Sequence, residues 1–200
     1  MGVQGQEIAS RAAGLIVEEG VSYGAAKKQA AAQLGYGGRI EWPDSAQLLQ
    51  AVREHIALFC PSEQATALAA LRSLALVWMD RLADFRPSIV GAVWNGTATH
   101  HSAIHLDLYC DDSKQLPIFL INKGQRYEES STANAKGQEV PVYILDLDCP
   151  TLAQKIPLVL TVLDRDDQRH AARPVHPGSA ADALRGSRND LQRKMETGNA

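Results

Sequence analysis

Ile89-Val-Gly-Ala-Val-Trp-Asn-Gly-Thr-Ala-Thr-His-His-Ser-Ala-Ile-His-Leu-Asp-Leu-Tyr-Cys110 changes the period of the chain. Its first six residues are an apolar run closed by Asn95-Gly96, which reads as a short buried strand. Its last third alternates: Ile104, Leu106 and Leu108 against His105, Asp107 and Tyr109. Successive strand side chains point to opposite faces, so this is a strand with one apolar and one polar face. Between the two lie Gly96 and Thr97, a turn in which glycine lets backbone approach a ligand and the hydroxyl and amide can bond an anion.

Upstream the pattern is helical. Ile8, Ala12, Leu15 and Ile16 recur at helical spacing up to Gly20. Ser22 is placed to cap a second helix carrying Ala26, Ala30 and Leu34, stopped at Gly35. Asp44 or Ser45 caps a third, with Leu48, Leu49, Val52, Ile56 and Phe59. Pro61 ends it, and Ser62 with Glu63 opens a fourth. That helix has a broad apolar face of Leu68, Leu71, Ala75, Trp78, Leu82 and Phe85, widened by Leu74 and Val77, and it stops before Pro87. Downstream of Cys110, Asp112 or Ser113 caps a helix to about Ile121. Residues 128–138 read as a mobile loop. Glu139 to Asp146 and Ile156 to Leu163 read as strands, and Pro141 favours an edge or an early strand position. Ser179 is placed to cap a thin last helix reaching about Met195. Trp78 reads as core, with Trp42 and Trp94 partly exposed. The expected fold is α+β: a helical region of about four helices over 1–86, a small mixed sheet with helices on one face over 87–164, and a polar tail over 165–200, partly disordered or weakly helical.

Composition narrows the function classes. A net charge of −3 offers no general attraction to nucleic acid or to an anionic membrane. Residues 89–164 hold 9 of the 23 acids against 5 of the 20 basic groups, a balance that suits a metal better than a phosphate backbone. Three cysteines without a Cys-x-x-Cys spacing, no signal-like start and no long apolar run point to a reduced cytoplasmic setting.

Two carboxylates at i and i+2 on a strand would share a face and reach a metal pair about 4 Å apart. On Val93 to Thr97 and Ser102 to Leu108, the sequence resembles the nucleotidyltransferase superfamily of polymerase-β-like fold, in its small bacterial form, over roughly residues 75–163. The family pattern is a strand into Gly-Ser, then Ser-Asp-x-Asp, then a third acid on a later strand. The resemblance implies Gly96, Thr97 and Ser102 as nucleotide-binding residues, Asp107 with His105 as metal positions for Mg2+, and Asp107 with Asp146 as catalytic residues. Asp164 is the alternative third acid. With Ser102 as the motif serine the two metal positions fall on Ala103 and His105, and shifted by two they fall on His105 and Asp107; the middle of the last strand offers Val159 and Thr161 rather than an acid. The resemblance therefore implies a degenerate member that binds a nucleoside triphosphate, or a protein partner through the N-terminal helices. The alternative is an active enzyme moving a nucleoside monophosphate to a protein, a small molecule or an RNA end. Whether it is an enzyme stays open at this level. His100, His101 and His105 with Asp107 form a second candidate set, for a transition metal.

Overall fold

The computed structural model describes residues 3–134, 136–167 and 185–197. The helix expected from Ser179 lies partly outside them. The fold is α+β, as expected, and the chain divides into two compact units: residues 1–68 with 97–101, and residues 69–96 with 102–200.

The first unit is helical: α1 (Val3–Glu19), α2 (Tyr23–Gln33), α3 (Ser45–Phe59) and the first turns of α4 (Pro61–Arg81). Gly20 adopts φ 69° to end α1. Asp44 and Gln47 cap α3 reciprocally, each side chain bonding the other's backbone N–H. Pro61 opens α4 rather than merely closing α3, as proline does at a first helical position where its missing N–H has no partner to lose. The predicted stripes Ile8–Ala12–Leu15, Ala26–Ala30 and Leu48–Val52–Ile56 meet in one core. Phe59 and Leu34 do not join it. Phe59 stays 69% exposed, its ring leaning on His55 at 4.6 Å between centroids.

The second unit carries the rest of α4, then β1 (Ser88–Val90), α5 (Gly91–Asn95), β2 (Ile104–Tyr109), α6 (Gln115–Asn122), β3 (Glu128–Ala133), β4 (Glu139–Cys149), β5 (Gln154–Leu163), β6 (Arg185–Gly186) and α7 (Arg188–Glu196). The strands form one mixed sheet in the order β3-β4-β5-β2-β1-β6. β2 and β5 run parallel, and every other pair is antiparallel. Register settles the two faces. Leu106 lies opposite Ile89 and Leu160, and Leu160 opposite Tyr143, so these side chains share the apolar face with Ile104, Leu108, Leu158, Val162, Leu145 and Leu147. All are buried. Leu71, Ala75 and Trp78 of α4 are buried as predicted, and so are Leu82 and Phe85 of the 3-10 turn that follows it, but Val77 is exposed. Phe85 meets Phe119 of α6 edge-on at 5.4 Å.

Three expectations fail here. The run from Ile89 to Trp94 is not one strand: after Val90 the chain turns at Gly91, φ 72°, into the short α5. Residues 128–133 are not a loop but an edge strand paired along its length with β4. The turn between them is built by Asn134, whose side-chain oxygen accepts from the N–H groups of Lys136 and Gln138. Trp94 is buried, not exposed, because Gly186 packs against its ring. Among the described residues no helix is long and apolar enough to cross a membrane.

Candidate functional site

The turn after β1 is set by two glycines and a buried arginine. Gly96 ends α5 at φ 81°, and its N–H bonds the Ala92 carbonyl. A side chain there would be strained, and a Cβ would also lie 3.6 Å from Arg72 Nη2. Arg72 is buried, and its Nε donates to the Val93 carbonyl at 3.3 Å. Burial lowers the pKa of its guanidinium. The arginine thus satisfies an end-of-helix carbonyl that has no partner within α5.

Thr97 belongs with the helical unit. It is 2% exposed, and its hydroxyl shares a 3.3 Å hydrogen bond with the Tyr23 hydroxyl. Burial pushes the Tyr23 phenol up, with the Thr97 bond opposing. The same segment is held at Ala98, whose carbonyl accepts from Gln64 Nε2 at 2.9 Å. His100 and His101 stack on each other at 3.8 Å, and the Gly20 backbone approaches so closely that a Cβ there would stand 2.8 Å from His101 Cβ. Thr97, His100 and His101 are therefore parts of the helical unit's packing. Ser102, half-buried, opens the stretch that leads into β2.

His105 and Asp107 share the polar face of β2, as the alternation predicted. The pairing fixes what stands beside them. Asp107 lies between Ser88 on β1 and Thr161 on β5, and His105 between Val90 and Val159. The positions flanking both are thus hydroxyl or apolar, never acidic. Asp146 is on the same face, but its register partner is Pro157, four residues from Thr161, and it lies two strands away from β2. With a rise of about 3.3 Å per residue and about 4.8 Å between strands, its Cα lies about 16 Å from that of Asp107. Asp164 follows β5 and lies about 10 Å further along the strand direction than Asp107. Asp146 is too far from Asp107 to join it around metals that sit about 4 Å apart, and Asp164, three residues past Thr161, falls outside the alternation that puts Thr161 and Asp107 on one face. Among the described residues no group of three or more His, Cys, Asp and Glu side chains converges to hold a metal ion. Within the sheet unit, β2 offers Asp107 and His105 but sets no second carboxylate beside them for the implied magnesium pair.

Asp107 has a different neighbour. Its Oδ2 stands 3.5 Å from Nη1 of Arg185, and the same Nη1 donates to the hydroxyl of Tyr109, one pleat along β2 on the same face. The Asp107 side chain is 15% exposed. Burial pushes its carboxyl above the ordinary aspartate value, and the Arg185 charge opposes that without cancelling it. The Arg185 side chain also lies over the Tyr109 ring, 5.9 Å from its centroid. A basic residue 78 positions away gives no local signal of pairing with Asp107.

His105 keeps much of its surface in water, yet the protein around its ring desolvates it enough to lower its pKa. A histidine whose folded pKa is lowered binds fewer protons in the native state than unfolded. Stability from this group therefore falls as pH drops through the unfolded value of about 6.5. We expect urea unfolding to show lower stability at pH 5.5 than at pH 7.5, with a smaller difference in His105→Asn. An identical pH difference in the variant would show that His105 is not its source.

The helical unit carries a sizeable cavity. It holds about 480 Å³ between α1 and α3, with Ala9, Ser10 and Ala51 on its walls and Leu58 and Phe59 at its rim. Leu58 is 75% exposed. His55 borders it, held by Glu18 at 2.9 Å. Comparisons with known protein families, with curated proteins and with solved structures found no match.

Proposed function

We propose that this chain is a nucleotidyltransferase-like protein that has lost metal chemistry and acts by binding a protein partner through its N-terminal helices. The order of elements supports the likeness. β1 leads through a glycine-ended turn into an adjacent antiparallel β2, and a later strand, β5, runs parallel to β2. One observation carries the loss of chemistry. Of the places that nucleotide transfer would fill with acids, one holds Asp107, the others hold His105, Val159 and Thr161, and Asp107 itself faces a guanidinium. A lone carboxylate beside a fixed cation is a poor ligand for a second cation, because the two positive charges compete for it.

The choice of ligand follows from where free chemistry remains. The Thr97 hydroxyl is engaged by Tyr23, whereas Leu58 and Phe59 stand exposed beside the α1–α3 groove. Apolar side chains grouped at a groove favour a protein partner over a phosphate ligand.

The experiment is calorimetric titration with Mg2+ and each of the four nucleoside triphosphates, on the wild-type chain and on Asp107→Ala. The expected result is no magnesium-dependent heat of binding in either. Binding in the wild type that disappears in Asp107→Ala would restore the metal site and overturn the proposal.

A further inference from the structure

We propose that residues 185–197 form a latch that closes the outer edge of β1 over Asp107 and opens as a unit, independently of the rest of the sheet. This goes beyond the functional reading and does not depend on it. The latch begins at β6, which among the described residues pairs with β1 at Gly186 opposite Ile89 and Arg185 opposite Val90. Arg185 reaches inward to the Tyr109 hydroxyl and the Asp107 carboxylate. Its Nε is buried without a hydrogen-bond partner among the described residues, a cost that works against the closed state. Gly186 makes room for Trp94: a Cβ there would fall well within 3.0 Å of three of its ring atoms.

Beyond β6, Ser187 and Asp190 form a reciprocal cap that starts α7. Contacts with α4 and with Trp94 hold this helix, among them a bond from Lys194 Nζ to the Trp94 carbonyl at 3.5 Å. Arg188 binds Asp80 of α4 through two nitrogens, at 2.8 and 3.2 Å. Leu191 is the buried side chain of α7. The Lys194 ammonium lies 4.1 Å from the centroid of the Trp94 ring.

These fastenings are weak individually. The Arg188–Asp80 pair is solvent-exposed on both sides, so water screens it. A cation over an aromatic ring at such a site contributes modestly. One leucine is buried in nine residues of helix. By contrast β2 pairs along its full six residues with β5 and fills the apolar face. Local stability follows such differences in buried contact, so the latch belongs to the low end of the range and β2 with β5 to the high end. Opening would separate Asp107 from Arg185 and uncover both Trp94 and the backbone edge of β1. The carboxylate thus has two environments, beside a guanidinium when latched and open to solvent when not.

Native-state hydrogen exchange on the full chain tests this. In the wild type, amides of 185–197 and the β1 amides bonded to β6 should exchange together, about 100-fold faster than those of β2 and β5. The double variant Arg188→Ala/Lys194→Ala removes two half-buried fastenings of α7 and should speed exchange of that group about tenfold, leaving β2, β5 and α1–α3 unchanged. Leu191→Ala is the second variant and should act in the same direction more strongly. Exchange of 185–197 at the rate of β2 and β5, or variants that speed the whole sheet alike, would overturn the latch. So would variants that leave 185–197 unchanged. No nucleotide enters the experiment, so its failure and that of the functional proposal are read separately.

Discussion

Leu106→Ala is expected to lower stability by about 3–4 kcal/mol, the middle to upper part of the range for a buried leucine truncated in a packed core. The side chain is fully buried on the central strand β2, and its register neighbours Ile89 and Leu160 are fully buried as well. The loss has two parts: the transfer energy of the removed methyl groups, and a cavity that a sheet anchored on both sides cannot close. The adjacent substitution His105→Ala should cost under about 1 kcal/mol, since it points to the other face and is partly in water. Urea unfolding of both variants measures the contrast. A one-residue slip of β2 would move every side chain to the opposite face and reverse the two costs.

Gly186→Ala should be the most damaging change of its size in the sheet unit, costing about 1–3 kcal/mol, as overpacking does. The added methyl group would occupy space held by the Trp94 indole. Trp94 is 5% exposed and sits in the five-residue helix between Gly91 and Gly96, so it has little freedom to retreat. The strand β6 must give way instead, and Arg185 moves with it. Thermal unfolding should show the lower stability. A Trp94→Ala/Gly186→Ala double variant should lose less than the sum of the two singles, since the tryptophan's absence removes the clash. Full additivity would show that the two side chains do not compete for the same space.

What was legible in the sequence followed the strength of its periodicity. The stripes of α1, α3 and α4 and the alternation of β2 were long enough for apolar spacing to settle both type and facing. Glu128 to Ala133 gave no such signal, because an edge strand exposed on all its residues has nothing to alternate and is held by backbone bonds to β4. Gly91 to Asn95 misled in the opposite direction. A five-residue helix centred on Ala92, Val93 and Trp94, the last two buried, has the composition of a buried strand, and only Gly91's positive φ separates it from β1. The pairing of His105 and Asp107 on one face could be read from spacing alone. The identity of their neighbours could not, since Thr161 and Arg185 reach Asp107 through strand pairing across more than fifty residues. Thr97 was the clearest divergence between motif and surroundings. Its place after a glycine suggested a ligand contact, but Tyr23, distant in sequence, takes its hydroxyl.

The proposal rests on Asp107 having no second acid beside it among the described residues, and on that arrangement supporting no metal-assisted transfer. Release of pyrophosphate from each nucleoside triphosphate, with Mg2+ or Mn2+ present, tests it most directly. The account predicts the same background release from the wild-type chain, from Asp107→Ala and from buffer alone. Metal-dependent release by the wild type, abolished in Asp107→Ala, would contradict it.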